Sequence, residues 1–155
     1  MALQGKNAQG FTLIELIAIV VLLAILGVVA LSRLSGFGGI ESRAFFDDTV
    51  NALRYAQKLA VSTGCAVQVS LTAGGYQLLQ GDSCTSGAYT RPVLNPVNRA
   101  VTYQAVTPAG VSISPAQTIV FTPQAAVTGL GSDIDFTIDG RLFRVYRETG
   151  LVDVL

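Results

Sequence analysis

The sequence predicts an α+β fold in which a long N-terminal helix packs on a C-terminal antiparallel β-sheet globule. Two observations support this prediction. An apolar segment near the start of the chain is followed by apolar residues at roughly 3.6-residue spacing, which is typical of a helix. From residue 66 onward, apolar and polar residues alternate between glycine-containing turns, which is typical of strands.

The leader, residues 1–10, does not have the order of a secretory signal peptide. It contains one cation, Lys6, and no apolar run, and it ends in Gly10 directly before the apolar segment. A secretory signal peptide places its apolar region before the cleavage site. Cleavage after Gly10 would therefore leave the apolar segment on the mature protein. Lys6 predicts a cytoplasmic N-terminus.

The segment from Phe11 to Leu31 is predicted to be a helix that spans a membrane. Its only polar residues are Thr12 and Glu15. At about 1.5 Å per residue, the helix would cross a hydrocarbon core of roughly 30 Å. A carboxylate inside a span is costly unless it is paired, so Glu15 is a candidate functional residue. The alternative is that Glu15, near the start of the helix, reaches the lipid headgroups.

Residues 35–64 are predicted to form the second half of the N-terminal helix. The glycines of Ser35–Gly39 weaken a helix, so a kink would fall there, and an uninterrupted helix is the alternative. From Ile40 to Ser62 an apolar stripe follows one helix face, and Gly64 marks the end. We expect the stripe to cover the sheet; its members are Phe46, Val50, Leu53, Ala56 or Gln57, and Ala60.

Residues 65–155 are predicted to form a β-rich domain. A Gly74-Gly75 turn between residues 66–71 and 76–80 indicates a hairpin, and Asp139-Gly140 indicates another. The stretch Gly81–Asn98 has the composition of a loop. The other predicted strands are Ala100–Val106, Val111–Ser114, Thr118–Thr122, Ile134–Ile138, Leu142–Tyr146 and Leu151–Val154.

The residues Gly10-Phe11-Thr12-Leu13-Ile14-Glu15 resemble the processing motif of type IV prepilins and type II secretion pseudopilins. The resemblance implies that a prepilin peptidase cuts between Gly10 and Phe11 and methylates the new N-terminal Phe11. Glu15 then lies one helical turn from the Phe11 amine. In a filament of packed helices, Glu15 of one subunit can pair with the Phe11 amine of its neighbour. This attraction would fix the axial register of the subunits, because a shifted subunit would leave two uncompensated charges.

Two further stretches, Ala52–Ala60 and Thr149–Val152, resemble the GspH/FimT group and the MSHA minor pilins. This resemblance implies the pilin fold and a minor subunit. The predicted domains are then the prepilin leader 1–10, the transmembrane and assembly helix 11–34, the second half of the helix 35–64, and the periplasmic β-rich domain 65–155.

Cys65 and Cys84 are the two cysteines of the chain. If this part of the chain is exported, we expect them to form one disulfide, which typically stabilises a protein by about 3 kcal/mol. Two buried free thiols are the alternative.

Little in the sequence indicates a catalytic, metal-binding or nucleic-acid-binding function. It has 155 residues, no histidine and a formal net charge of zero, so it lacks the commonest metal ligand and a general attraction to nucleic acid. No Gly-x-Ser-x-Gly motif is present, and neither cysteine has a base partner indicated by the sequence. We therefore expect no catalytic residue, no metal site, no cofactor and no enzymatic activity.

Arg141, Arg144 and Arg147 are candidate nucleic-acid contacts, because aromatic residues lie between them. Strand alternation, however, places Arg144 on the face opposite to the other two. The FimT-type pilins that bind DNA carry a Gly-Arg-x-Arg motif near the terminus. Its counterpart here, Gly150-Leu151-Val152-Asp153, has leucine and aspartate in the arginine positions, so we expect solvated arginines rather than a DNA-binding surface.

The predicted function is that of a minor pilin or pseudopilin, a structural subunit of a type IV pilus or a type II secretion pseudopilus. We expect it in the inner membrane of a Gram-negative bacterium, with the C-terminal domain in the periplasm, before it enters the filament. Its expected partners are other subunits through the N-terminal helix, the prepilin peptidase and the inner-membrane assembly platform. DNA binding for uptake is the alternative function, and an adhesin with the 81–98 loop as its surface is a third. The sequence does not distinguish type II secretion from a type IV or MSHA-type pilus.

Overall fold

The computed structural model describes residues 12–34, 37–84 and 87–155. The chain divides into two units, Met1–Phe37 and Gly38–Leu155. The first contains helix α1, Leu13–Leu34, whose run of leucine, isoleucine, valine and alanine has no proline to interrupt it. The side chains of α1 are described as far as Gly27.

Helix α2 spans Phe37–Thr63 and begins three residues before the predicted Ile40. Ser35 and Gly36 lie outside the described residues, so the kink expected at 35–39 stays a prediction. The helix ends directly before Gly64, as its C-terminal glycine indicated.

The strands form two antiparallel sheets. The first has the order β3-β2-β1-β6-β7, with β4 also paired to β2, and the second has the order β10-β9-β8-β5. The strands of the first sheet are β1 Val67–Thr72, β2 Gly75–Gly81, β3 Tyr89–Pro92, β4 Gln104–Val106, β6 Gln117–Phe121 and β7 Val127–Thr128. Those of the second are β5 Ile113–Ser114, β8 Ile134–Ile138, β9 Arg141–Val145 and β10 Val152–Val154.

Both predicted hairpins are confirmed. Strands β1 and β2 pair from Val67↔Gln80 to Thr72↔Gly75, and β8 and β9 pair from Ile134↔Val145 to Ile138↔Arg141. At the second turn Asp139 and Gly140 have φ values of 49° and 78°, the left-handed conformations that a two-residue type I′ turn requires. An aspartate followed by a glycine suits both positions, which is why local sequence located this hairpin.

Two short strands were not predicted. Strand β3 lies inside Gly81–Asn98, so the loop prediction was wrong for Tyr89–Pro92. This strand lacks apolar alternation because it is an edge strand, exposed along most of its length and held by pairing with β2. Strand β7 was missed because two residues carry no periodicity. In the predicted strand Ala100–Val106, only Gln104–Val106 is strand, since the chain turns at 99–100.

The core of the second unit lies between α2 and the two sheets. The predicted stripe is buried at Phe46, Val50, Leu53, Ala56 and Ala60, while Gln57 is half-buried. Phe46 packs edge-on against Phe143 of β9, with ring centroids 5.8 Å apart. The polar residues Ser42 and Thr49 are also buried. Their hydroxyl groups are satisfied there, because Ser42 Oγ donates to the Asp139 carboxylate and Thr49 Oγ1 donates to Phe45 O at 2.7 Å.

Candidate functional site

Thr12 caps the N-terminus of α1. Its carbonyl accepts hydrogen bonds from the N–H groups of Glu15 at 3.1 Å and Leu16 at 3.2 Å, and its hydroxyl oxygen lies 3.3 Å from the Glu15 nitrogen. A threonine three residues before a glutamate is the pattern of a capping box, so local sequence explains why the helix begins here. The cap places Glu15 in the first turn.

The Glu15 carboxylate has no partner in the described part of the chain. The residue is exposed, and within residues 12–34, 37–84 and 87–155 its carboxylate makes neither a hydrogen bond nor an ion pair. The positive end of the helix dipole favours a negative charge at this position, but a carboxylate surrounded by apolar side chains still requires a partner or water. Gly10 and Phe11, the predicted cleavage and methylation residues, lie outside the described residues.

The large apolar side chains of α1 between Leu13 and Leu26 are exposed, over a range from 42% at Ile19 to 77% at Leu13. An exposed apolar surface of this extent indicates contact with another apolar phase or protein. The exposed set consists of Leu13, Ile14, Leu16, Ile17, Ile19, Val20, Val21, Leu22, Leu23, Ile25 and Leu26. None of the helices in the described residues is both long enough and apolar enough to traverse a bilayer. The predicted span 11–31 extends beyond the described side chains at both ends.

Cys65 and Cys84 form a disulfide, which confirms the predicted pair. Their Cα atoms are 4.4 Å apart, and the bond links Cys65, the second residue after α2, to the segment after β2. The bridge therefore holds the connection between α2 and β1 against the far end of the first hairpin, and Cys65 is buried there.

The three candidate arginines have different environments. Arg144 donates two hydrogen bonds to Asp135, its cross-strand neighbour, at 2.6 and 2.7 Å. This contact lowers the pKa of Asp135 and raises that of Arg144. Arg147 donates to Gly131 O at 3.4 Å, and Arg141 lies exposed at the start of β9. Two of the three guanidinium groups are thus already engaged, which does not favour a nucleic-acid surface.

The acidic residues around β8 are engaged as well. Asp133 Oδ1 accepts the Arg147 N–H at 2.9 Å, Asp135 binds Arg144, and Asp139 accepts the Ser42 hydroxyl. Within the described ranges, no three His, Cys, Asp or Glu side chains form a group that could hold a metal ion.

A cluster of buried tyrosines was not predicted from the sequence. The Tyr76 hydroxyl donates to Asp48 on α2, and its ring lies 6.1 Å from that of Tyr103 and 6.0 Å from that of Phe45. Burial and the Asp48 contact raise the pKa of Tyr76, and burial raises that of Tyr103 to about 12. The cluster ties α2 to β2. The alternation of apolar and polar residues indicated that Tyr76 belongs to a strand. Only the packing of α2 against β2 shows that Asp48 faces Tyr76.

The C-terminal segment is also held by α2. Gln57 Nε2 donates to Thr149 O at 2.7 Å, and Arg54 donates to Val152 O at 3.0 and 3.2 Å. Between these anchors Gly150 has a φ of 61°, and a Cβ atom there would collide with the Ala125 carbonyl oxygen. Glycine is therefore required in the Thr149–Val152 stretch that resembles the minor pilin pattern, and this stretch is a turn that leads into β10 rather than a strand.

Two sequence profiles match the chain. A profile described as "Prokaryotic N-terminal methylation motif" matches residues 5–31, and one described as "Type II transport protein GspH" matches residues 47–147, which is more than half of the chain. The chain belongs to the GspH family. No curated protein sequence matches it significantly.

Solved structures with similar folds include minor pilins. Two crystal forms of the type IV minor pilin FimU of Pseudomonas aeruginosa are 15% and 14% identical to this chain, with TM-scores of 0.54 and 0.51. The matches cover 76% and 73% of this chain and 90% and 91% of FimU. The minor pseudopilin EpsH from the type 2 secretion system of Vibrio cholerae is 17% identical over 76% of this chain and 94% of EpsH, with a TM-score of 0.48.

As a GspH-family protein, the chain is a minor pilin or pseudopilin subunit with the pilin fold, as its sequence predicted. The family is structural. Its N-terminal methylation motif implies a membrane-anchored precursor, processing by a prepilin peptidase and assembly with other pilin subunits.

Proposed function

We propose that this GspH-family subunit enters its filament through an ion pair between Glu15 and the Phe11 amine of a neighbouring subunit. Cleavage between Gly10 and Phe11 creates that amine, and methylation of Phe11 leaves it able to carry a positive charge. Residues 5–31 match the methylation motif, which supports this assignment.

The Glu15 carboxylate, which has no partner among the described residues, carries the proposal. It is an exposed charge at the start of a helix whose other described side chains are almost all exposed and apolar. If such helices pack together, the apolar contacts alone permit many axial registers, because they have no direction. A charge that must find its opposite in a low-dielectric setting selects one register.

Replacing Glu15 tests the pair. Glu15→Gln keeps the size and removes the charge, so we expect incorporation into the filament to be reduced at least about tenfold, which corresponds to about 1.4 kcal/mol. Glu15→Asp is the matched control, since it keeps the charge, and it should retain a substantial part of the incorporation. The readout is the amount of subunit in sheared filaments relative to that in membranes. Normal incorporation of Glu15→Gln would refute the pair.

Processing is tested separately with Gly10→Ser. We expect the precursor to keep its leader and to accumulate unprocessed, while Gln9→Ser, one residue earlier, should be cut normally. Mass spectrometry of the N-terminal peptide identifies both the cleavage position and methylation of Phe11. A mature product of normal size from Gly10→Ser would refute the cleavage assignment.

Before assembly we place the subunit in the inner membrane, with residues 65–155 in the periplasm. The Cys65–Cys84 disulfide supports this topology, because such bonds persist in oxidising compartments. An accessibility assay with a membrane-impermeant thiol reagent on Val97→Cys tests it: labelling is expected in spheroplasts without lysis. Labelling only after lysis would contradict the topology.

A further inference from the structure

A groove of about 500 Å³ lies beside the free edge of the first sheet. Its walls are largely apolar and come from Tyr55 and Leu59 on α2 and from Pro92, Leu94 and Pro96 at and after β3. It is also lined by Gln80, Val93, Asn95 and two arginines, Arg91 and Arg99, and none of the described residues that line it is acidic. The groove therefore combines an apolar floor with positive charge.

Arg91 is held in place by a chain of hydrogen bonds that starts on α2. Thr63 Oγ1 accepts a hydrogen bond from Gln80 Nε2 at 2.8 Å, and Gln80 Oε1 accepts one from Arg91 Nη2 at 2.7 Å. Gln80 is only 7% exposed, so its amide is fixed by its surroundings. The Arg91 guanidinium is thus positioned at the groove without being neutralised, since within the described residues it forms no ion pair with an acid.

Arg99 is presented by an ordered hairpin. Asn95 N donates to Val101 O at 2.9 Å, and the Asn95 Oδ1 atom accepts the N–H groups of Val97 at 2.9 Å and Asn98 at 3.3 Å. The hairpin tip leaves Val97 94% exposed beside the groove. Within the part of the chain that the structure describes, Arg99 forms no ion pair, and an exposed apolar side chain near such an arginine is typical of a contact surface.

The form of the groove favours an extended occupant. Strand β3 is the outermost strand of its sheet, and within the described residues no strand pairs with the edge that faces away from β2, so a further strand can pair there. Main-chain pairing at such an edge, with side-chain pockets alongside, is a common way to bind an extended peptide.

We propose that this groove binds an extended segment of a partner protein in which carboxylates alternate with apolar side chains. The carboxylates pair with Arg91 and Arg99, and the apolar side chains, which point to the opposite face of an added strand, pack on Pro92. This surface lies in the second unit, Gly38–Leu155, and is independent of the Glu15 pair in α1.

The test measures the fluorescence anisotropy of labelled octapeptides with the full chain held in neutral detergent micelles. A peptide of alternating leucine and aspartate should bind about tenfold more tightly than one of alternating leucine and asparagine, and the preference should weaken with added salt. The variant with both Arg91→Glu and Arg99→Glu should lose the preference. A control with Arg43→Glu and Arg141→Glu, which line a different groove, makes the same change in charge and should retain it.

Arg99→Glu alone provides a second variant, because the exposed Arg99 side chain is not needed for folding. We expect this variant to lose several-fold of the preference for the aspartate peptide. Equal binding of the two peptides, or an equal loss in the Arg43/Arg141 control, would overturn the proposal. So would binding of decanoate without binding of the acidic peptide, which would assign the groove to a small amphiphile. Self-association of the chain that is lost in Arg91→Glu/Arg99→Glu would assign it instead to a second copy.

Discussion

Leu22 in α1 and Leu53 in α2 are the same residue type in the same secondary structure, but Leu22 is largely exposed and Leu53 is fully buried. The difference follows from the residues around them. Apolar residues surround α1 on every side, whereas α2 has charged residues on one face and an apolar stripe on the other. Helix α2 buries its apolar stripe against the two sheets, whereas the described apolar side chains of α1 are exposed.

The largest expected effect is the loss of stability when a leucine is truncated in α2 but not in α1. Leu53→Ala should lower the free energy of unfolding of the β-rich domain by about 3 kcal/mol, because it leaves a cavity in a packed core. Leu22→Ala in α1 is the matched control and should change that stability by less than about 0.5 kcal/mol. Urea unfolding of the full chain in micelles, followed by near-UV circular dichroism, measures both. Similar losses would show that α1 also belongs to the folded core.

The disulfide contributes to the stability of the unit that contains α2, and not to that of α1. Replacing Cys65 and Cys84 together by serine should destabilise the β-rich domain by about 3 kcal/mol, because the unfolded chain is then no longer constrained across a sequence separation of 19 residues. The same unfolding experiment measures the change, and dithiothreitol should have an equivalent effect on the unmodified chain. Processing of the leader should remain normal in this variant. Impaired processing would show that α1 depends on the fold of this domain.

Gly150 tests how the C-terminal segment depends on α2. Gly150→Ala should cost about 2 kcal/mol, since the added Cβ meets the Ala125 carbonyl and the backbone is left-handed. Gly110→Ala is a control with a φ of 80° and open space around it, and it should cost about 1 kcal/mol from backbone strain alone. Chemical denaturation compares them. Equal losses would mean that the contact with Ala125 does not limit the fold.

A pH dependence of stability arises where α2 meets β2. An unfolded tyrosine ionises near pH 10, whereas burial raises the pKa of Tyr103 to about 12 and raises that of Tyr76 in the same direction. The stability from these tyrosines is fully present below about pH 10 and is lost as the pH rises towards 12, by roughly 1 kcal/mol per pH unit for each group.

Tyr103→Phe should make this alkaline loss shallower, and Tyr89→Phe, a half-buried tyrosine outside the cluster, serves as the control. Denaturant midpoints measured between about pH 8 and 12 give both slopes. An unchanged slope in Tyr103→Phe would contradict the role of burial.

Local sequence located most elements. The stripe from Phe46 to Ala60 and the Asp139-Gly140 turn were predicted correctly because period and turn chemistry are properties of neighbouring residues. Strand β3 was missed because its residues are held by pairing with β2 rather than by their own pattern. The arginines illustrate the same limit, since alternation separated Arg144 from Arg141 but could not show that Asp135 neutralises it.

By itself, the sequence determined the helices, the two hairpins, the family and the position of Glu15 in the first turn of α1, since each depends on residues close together in the chain. The tertiary structure alone decided which groups face each other: Asp48 with Tyr76, Gln80 with Arg91, and Ala125 with Gly150. These pairs depend on strand register and on the packing of α2. Register is set by the summed burial of many side chains, so no single stretch of sequence contains it.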